Sequence, residues 1–455
     1  MTSEPTQLTA APGRPVSLAG ALARLRADPP RMAAVRSAWL ALWSSRLLVW
    51  VAGIVAGVTL SVRAGAGAVD PRGLTRGLGG VGEVLAGPAA RWDAGWFLLI
   101  ARDGYGVSQG ARTEARLAFY PLYPLLTRAL GLLLPLVISG VVVSLCAFAA
   151  ALYGIHRLST LELARVRVPA QARERIAGLA LLLIAFSPMA VFFSADYSES
   201  VFMALSVALF WCARTGRWAW AGVAGALAGA SRAPGLVLAL PAVVIYLYGP
   251  REDRPPDRLA ASFDGDAPAG RLAWAPAALR PRYRLRRDAL WLALLPAGVA
   301  AYCAFIALAG GDPLLPFKVE HQVWTRQLTD PLSTLWYGVH STFEEFRHLT
   351  AHGRLHLRSF YFLAAAAVAT VGVLRRLPLA YGLYVIAAIV MPLSYPSREE
   401  PLQSMPRYLL VLFPLAIWLA WWLDGHPRLR RPTLAVSALL MIFYAANFAT
   451  WRWAS

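Results

Sequence analysis

The sequence predicts an all-α polytopic membrane protein, a bundle of about 11 transmembrane helices with short interfacial helices in its outer loops. Hydrophobic residues make up 58% of the 455 residues and charged residues only 15%, and the mean hydropathy is +0.51. Apolar runs recur along the chain, the longest of them near the roughly 20 residues that a helix needs to cross a hydrocarbon layer. Arginines gather in the short segments between these runs, as the positive-inside rule requires.

The apolar runs give the order of the predicted spans. They are 38–62, 132–153, 176–194, 201–212, 218–229, 236–248, 289–308, 360–374, 379–393, 408–423 and 434–448. Charge parity puts the flexible tail 1–37 and the Arg- and Pro-rich loop 250–288 in the cytoplasm, and leaves 63–131 and 310–358 as outer-face loops. We therefore expect one transmembrane domain over residues 38–452.

The net charge of +19 would suggest nucleic acid as the partner of a soluble protein, but these arginines follow membrane topology, so no nucleic acid is expected. Cys146, Cys212 and Cys303 lie in apolar runs without ligand spacing, which supports neither a disulfide framework nor a zinc site. The sequence shows no dense acidic cluster of the kind that an octahedral metal ion prefers. We predict no metal and no cofactor.

Positive charge is unexpectedly frequent on the predicted outer face. The residues are Arg91, Arg102, Arg112, Arg116, Arg128, Arg232, Lys318, Arg326, Arg347, Arg354, Arg398 and Arg407. An anion bound at this face would need them, and phosphate is the natural candidate because guanidinium groups match its oxygens. Snorkelling towards lipid headgroups explains any single arginine near a helix end, but it is a weaker account of so many.

The segment from Arg91 to Tyr105 follows the first predicted span and carries the candidate catalytic residue, Asp93. A carboxylate at a membrane boundary is costly unless it is paired or lies in a wet cavity, so its presence invites a functional explanation. The alternative is an interfacial anchor, in which Trp92 lies at the headgroup level and Asp93 caps the following helix.

Two further motifs lie at outward helix ends. The stretch 119–126, with two prolines three residues apart, predicts a kinked start of a helix. This structural role explains the motif without a catalytic function. The stretch 186–200 places Asp196 and Glu199 between two spans. Glu199 could bind a sugar hydroxyl at the mouth of a cavity. The alternative is that Ser198 is an ordinary N-cap and Glu199 lies in the first turn of the following helix, where the helix dipole favours a negative charge.

Two arginines accompany Pro-containing breaks. Arg232 lies in the stretch 231–235 between two unusually short apolar runs, and broken helices of this kind point to a binding cavity. Arg407 lies in the stretch 405–408 at the start of another span. There the alternative is a proline in the first helical turn with an anchoring Arg407–Tyr408 pair.

These motifs, in this order, carry a resemblance. They are Arg91-Trp92-Asp93-Ala94 with Phe97, Ile100-Ala101 and Gly104-Tyr105, then Phe119-Tyr120-Pro121-Leu122-Tyr123-Pro124-Leu125, Tyr197-Ser198-Glu199-Ser200, Ser231-Arg232-Ala233-Pro234-Gly235 and Pro406-Arg407-Tyr408. Together they resemble the PIG-V family, the GPI mannosyltransferase II-like enzymes of the GT-C superfamily, over residues 91–414. The resemblance implies a GT-C fold, a polyprenyl-phosphate-linked mannose donor and inverting transfer.

The chain departs from this pattern at Gly95-Trp96, where eukaryotic members tend to carry a Glu-His pair. A GPI precursor is therefore not implied as the acceptor. The expected function is transfer of mannose from a polyprenyl-phosphate donor to a lipid or glycolipid acceptor. We expect the enzyme to be a multi-pass protein surrounded by membrane lipids in a bacterial plasma membrane, with its active site on the outer face.

Such a transfer needs a base for the acceptor hydroxyl and positive charge for the departing phosphate, and inversion needs one carboxylate. We assign Asp93 as the base and Arg232 and Arg407 to the phosphate. Sugar or acceptor contacts are predicted for Glu199, Trp92, Arg91, Tyr197, Tyr120 and Tyr408.

A secondary transporter or lipid flippase would share the composition and the broken helices, and it is the alternative function. It would spread charged residues through mid-membrane positions, whereas here the charges cluster at one face. A non-catalytic scaffold subunit, a third possibility, would not need the ordered motifs.

The topology is testable by labelling single cysteines placed at positions 93 and 265 in a chain without Cys146, Cys212 and Cys303. We expect a membrane-impermeant maleimide to reach position 93 from outside and position 265 only after permeabilisation, because the arginines near 265 mark the cytoplasmic side. Labelling of both positions from one side would refute this topology.

Overall fold

The computed structural model describes residues 28–60, 73–75, 79–107, 115–257, 280–348, 351–398 and 400–452, with the backbone alone for 345–348 and 351–356. Most of the predicted tail 1–37 and parts of the loops 63–131, 250–288 and 310–358 lie outside the described residues. So do Arg112 and the side chains of Arg347 and Arg354. In the described part, the fold is all-helical apart from an isolated antiparallel bridge between Arg326 and Ser397.

The helices follow one another in chain order. They are α1 (Pro29–Thr59), α2 (Gly79–Leu85), α3 (Ala94–Asp103), α4 (Leu122–Leu130), α5 (Leu136–Arg165), α6 (Ala170–Ala185), α7 (Glu199–Arg214), α8 (Trp218–Ser231), α9 (Ala239–Tyr248), α10 (Ala297–Leu308), α11 (Leu315–Trp324), α12 (Pro331–His348), α13 (Ala351–Arg376), α14 (Leu379–Leu393), α15 (Met405–Leu410), α16 (Phe413–Asp424) and α17 (Pro427–Ala449). Short 3₁₀ segments occupy Gly87–Ala89, Ala115–Ala118, Ala190–Phe193, Ala233–Leu238 and Arg287–Leu294.

The number of helices long enough to span a membrane is smaller than predicted. Among the described residues, α1, α5, the stretch 357–376 of α13 and α17 qualify by length and composition, and α10 makes a fifth if joined to Arg287–Leu294 across a 45° bend. Four to five spans are thus supported, and about eleven are not. The prediction counted apolar runs as unbroken helices, whereas several runs contain a break at or before a proline.

Two runs illustrate the difference. The predicted span 176–194 ends as an α-helix at Ala185, before Pro188, and continues as a 3₁₀ segment. The predicted span 408–423 is divided into α15 and α16 just before Pro414. The α-helix stops at both breaks, so neither apolar run forms a single helix long enough to span a membrane.

An antiparallel hairpin of α7 and α8 brings two predicted site residues to one end of the bundle. The turn between the helices is short, and Gly216 adopts a φ of +72° there, with Asp253 filling the space that a side chain would need. Since α7 runs away from Glu199 and α8 returns towards Arg232, these two side chains meet.

The opposite end of α7 is fixed by a buried ion pair. Arg214 Nε donates to Glu162 Oε1 on α5 at 2.5 Å, and both side chains are 0% exposed. Tyr381 on α14 donates to the same oxygen at 2.9 Å. Glu252 contacts Arg214 from the loop at 3.1 Å and is 48% exposed. The cluster joins three helices at the end remote from the candidate site.

Glu162→Gln should lower the stability of the folded protein by roughly 3 to 5 kcal/mol, because it leaves the Arg214 guanidinium buried without its main counter-charge. Thermal unfolding in detergent measures the loss. Glu252→Gln removes a half-exposed partner of the same arginine and should cost at most about 1 kcal/mol. Equal unfolding temperatures for the two variants would contradict the assignment of Glu162 as the main partner.

Candidate active site

Asp93 occupies the N-cap position of α3, yet its side chain makes no capping hydrogen bond. Its Oδ2 instead accepts a hydrogen bond from Arg407 Nη1 at 2.6 Å, across 314 positions of sequence. Trp92, just before it, has a left-handed backbone with a φ of +57°, which is strained for a bulky residue. The turn thus presents the carboxylate to Arg407, and the alternative role of Asp93 as a helix cap does not describe the structure.

Tyr197 holds the backbone turn that carries Asp93. The Tyr197 hydroxyl donates to the carbonyl of Arg91 and accepts from the backbone N–H of Asp93, both at 3.0 Å. Tyr197 is buried, at 1% exposure. Its hydroxyl is occupied by the backbone on both sides of Trp92, so this geometry suits a positioning residue better than the predicted contact with sugar.

Arg91 and Trp92 are directed towards the C-terminal helix. Arg91 Nε donates to the carbonyl of Ala449 at 3.1 Å, and its guanidinium lies 5.4 Å from the ring centroid of Trp451. The Trp92 and Trp451 rings are 5.8 Å apart. Both side chains therefore attach the Asp93 turn to the end of α17, and neither lines the cavity described below.

Glu199 joins the two arginines assigned to phosphate. Its Oε1 accepts from Arg407 Nε and lies 2.6 Å from Arg232 Nη1, and its side chain is 0% exposed. With the Asp93–Arg407 contact, this makes an alternating chain of charges, Asp93–Arg407–Glu199–Arg232, which we call the ion chain. Glu199 does not line the cavity, so its surroundings favour holding the arginines over the predicted contact with a sugar hydroxyl.

The ring faces of nearby tyrosines complete the environment of the two arginines. The guanidinium of Arg407 lies 4.7 Å from the Tyr197 ring centroid, and that of Arg232 lies 5.8 Å from the Tyr408 centroid. Such contacts with ring faces stabilise a desolvated cation. They leave the N–H groups of each guanidinium as the donors that can bind an anion.

A cavity of about 350 Å³ opens beside the ion chain. Of the residues predicted from sequence, it is lined by Asp93, Tyr120, Arg232, Arg407 and Tyr408. Its other walls include Phe119, Phe317, Glu320, Trp324, Arg326, Tyr395 and Gln403. A mainly apolar cavity of this size with a few convergent polar groups is typical of a small-ligand site.

Sequence reasoning missed Glu320 on α11, and it assigned no specific role to Arg326. Glu320 Oε2 lies 3.2 Å from Arg326 Nε, and the Glu320 side chain is 35% exposed, towards the cavity. Burial raises the pKa of the Glu320 carboxyl; Asp93 acts in the same direction and Arg326 against it. The amphipathic sequence around Glu320 gave no signal, because only the folded chain brings α11 to Asp93.

The site therefore combines three guanidinium groups (Arg232, Arg326 and Arg407) with three carboxyl groups (Asp93, Glu199 and Glu320). The arginines are already in place before an anion enters the cavity. Oxygens of a bound phosphate could then accept hydrogen bonds from the same guanidinium groups that now contact carboxylates. Over the described part of the chain, no group of three or more His, Cys, Asp or Glu side chains is placed to hold a metal ion.

Comparison with known proteins identifies the segment that carries Asp93, Glu199 and Arg232 of this site. The sequence model of the family described as mannosyltransferase (PIG-V) matches residues 80–245. GPI alpha-1,6-mannosyltransferase 2 of Mus musculus is 34% identical over 166 residues, which cover 34% of this chain and 31% of the relative. The protein of the same name from Rattus norvegicus matches with the same identity and coverage.

The matched stretch spans about a third of the length of these relatives. No solved structure matches the chain significantly. The match includes Asp93, Tyr120, Tyr197, Glu199 and Arg232, whereas Glu320 and Arg407 lie beyond it. The predicted resemblance to the PIG-V mannosyltransferase family is therefore confirmed over residues 80–245.

Proposed function

We propose that this multi-pass membrane protein is an inverting mannosyltransferase that takes mannose from a polyprenyl-phosphate donor and transfers it to a lipid or glycolipid acceptor. The observation that carries the proposal is the position of Asp93. Its carboxylate faces a cavity and touches an arginine that is itself fixed by a buried glutamate. The match of residues 80–245 to a mannosyltransferase family supports mannose as the sugar.

In the proposed reaction the acceptor hydroxyl oxygen attacks the anomeric carbon of mannose, and its proton passes to the Asp93 carboxylate. A new glycosidic bond forms as the bond from that carbon to the phosphate oxygen breaks. The bonding electrons leave with the polyprenyl phosphate. One displacement at carbon inverts its configuration and needs a single carboxylate on the acceptor side.

Arg232 and Arg407 bind the phosphate and stabilise the negative charge that it gains as it departs. Both guanidiniums are oriented before substrate arrives, since Glu199 and the tyrosine faces hold them. A preorganised cation stabilises developing charge without the cost of reorienting during the reaction. Glu199 acts in this scheme as a positioning residue.

The cavity holds a sugar and its phosphate better than it holds a whole glycolipid. Its volume of about 350 Å³ lies at the lower end of the range for small-ligand sites. The prenyl chain and the lipid part of the acceptor would then extend into the bilayer, which suits a site at broken helix ends. We infer that this site lies at the outer face of the membrane, which the arginine distribution in the sequence favours.

Asp93→Asn should lower the rate of mannose transfer by roughly 10² to 10⁴-fold, the usual contribution of general-base catalysis, because the neutral amide cannot take the acceptor proton. Asp93→Glu should also be nearly inactive, since a shift of about 1 Å can cost on the order of 10²-fold. Transfer of radiolabelled mannose by the purified protein in lipid vesicles measures both. Binding of the donor should persist in Asp93→Asn, because Arg407 loses a competing carboxylate.

The matched control is Asp103→Asn, at the other end of α3, where the carboxylate pairs with Arg102. It should transfer mannose at the wild-type rate. Near-normal turnover by a well-folded Asp93→Asn protein would show that Asp93 is not the general base.

The two arginines should differ in how their loss affects the kinetics. Arg232→Ala leaves the Asp93–Arg407 contact in place and should mainly raise KM for the donor, by roughly tenfold or more for a lost charged hydrogen bond. Arg407→Ala removes the neighbour of Asp93 as well and should lower kcat too. Lysine at either position should restore activity only in part, because the planar fork is lost.

Arg102→Lys, a change at an exposed arginine in the last turn of α3, serves as the control for the arginine variants. Steady-state kinetics with varied donor separates the two effects, and melting curves check that each variant is folded. Unchanged KM and kcat in both alanine variants would show that the phosphate binds elsewhere.

A further inference from the structure

One wall of the cavity carries a carboxyl group that the proposed reaction does not use. Glu320 lies on α11 and reaches the cavity that Asp93 also lines. Among the described residues, the ion pair with Arg326 is the polar contact of its carboxylate. Arg326 has a second anchor, because its Nη1 donates to the carbonyl of Tyr395 at 3.0 Å. Arg326 is therefore held in place even without Glu320.

The segment that follows α11 is fixed firmly enough to define a binding wall. The backbone N–H groups of Gln327 and Thr329 donate to the carbonyls of Pro396 and Ser394, at 3.1 and 3.0 Å. Thr325 ends α11 in a left-handed conformation, with a φ of +53°, and so turns the chain into this pairing. Glu320 consequently has a set position relative to the cavity.

A second polar group beside Glu320 has its hydroxyl unused. Tyr120 is 6% exposed and lines the cavity, and its hydroxyl has no hydrogen-bond partner among the residues that the structure describes. Its ring is fixed against Tyr302, with centroids 5.2 Å apart. A buried hydroxyl without a partner is costly, so a ligand that supplies one is favoured there.

Aromatic rings lie beside these two polar groups. Phe119 and Trp324 both line the cavity, with their rings edge to face at a centroid distance of 6.0 Å. A sugar ring has a hydroxyl-rich edge and an apolar C–H face. Carboxylate and phenol groups can hydrogen-bond the hydroxyl edge, and aromatic faces can pack against the C–H face. A site built to hydrogen-bond hydroxyls discriminates strongly against a ligand that lacks them.

We propose that Glu320 and Tyr120 form a hydroxyl-binding subsite that recognises a sugar ring in the cavity, with Glu320 accepting from hydroxyls and Trp324 packing against the ring. The proposal rests on the proposed function and deepens it. The ring belongs either to the mannose of the donor or to a sugar of the acceptor. Both are carbohydrate, and the test distinguishes them.

The test compares binding of polyprenyl-phosphate mannose and of bare polyprenyl phosphate to wild-type protein and to Glu320→Gln. If the subsite holds the donor ring, the variant should bind the mannosylated lipid roughly ten- to hundredfold more weakly, with bare polyprenyl phosphate unchanged. If it holds the acceptor ring, donor binding is unchanged and KM for a glycolipid acceptor rises by that factor. Tyr120→Phe should weaken the same interaction, with a smaller change in donor affinity or in KM for the acceptor than Glu320→Gln causes.

Glu344→Gln, an exposed change on the neighbouring α12, is the matched control and should alter none of these constants. Unchanged constants in a well-folded Glu320→Gln protein, or a fall in kcat alone, would overturn the subsite. Wild-type protein that does not distinguish mannosylated from bare polyprenyl phosphate and transfers no mannose would instead refute the proposed function. The wild-type measurement thus separates the two failures.

Discussion

The ion chain Asp93–Arg407–Glu199–Arg232 is the interaction on which the rest of the site depends. Each charge in it is largely removed from solvent, and taking one ion out of water costs several kcal/mol even after relaxation. That cost is offset only when every charge has a close partner of opposite sign. The start of α3, the start of α7, the end of α8 and α15 are therefore constrained to meet, although their residues span more than 300 positions.

Broken helices make this meeting possible. A continuous membrane helix satisfies its own backbone and offers side chains along its flank, whereas a helix that stops short ends in turns with free polar groups. Arg232 follows α8 just before a 3₁₀ segment, and Arg407 lies on the short α15 behind Ser404, which has a left-handed φ of +59°. The same breaks that reduce the number of full-length spans thus place guanidinium groups beside a cavity.

Chain order and charge predicted much of this arrangement. The sequence predicted that Asp93, Arg232 and Arg407 lie at outward ends of apolar runs, and the structure brings these side chains together. The count of about eleven spans, from which their common side was predicted, is not supported. Helix lengths were less predictable, because hydropathy does not register where a proline ends a helix. Glu320 could not be predicted at all, since its role depends on pairing between residues 325–329 and 394–398, which leaves no local pattern in the sequence.

Arg407 links the two halves of the proposed chemistry. Its Nη1 donates to Asp93 Oδ2 and its Nε donates to Glu199. A guanidinium has five N–H donors, so the N–H groups that these two carboxylates leave free can bind the oxygens of a donor phosphate. In the proposed reaction Glu199 keeps the guanidinium in place while the phosphate binds, and Asp93 keeps its other carboxylate oxygen for the acceptor proton. One arginine would thus hold the base and the leaving group at a fixed separation.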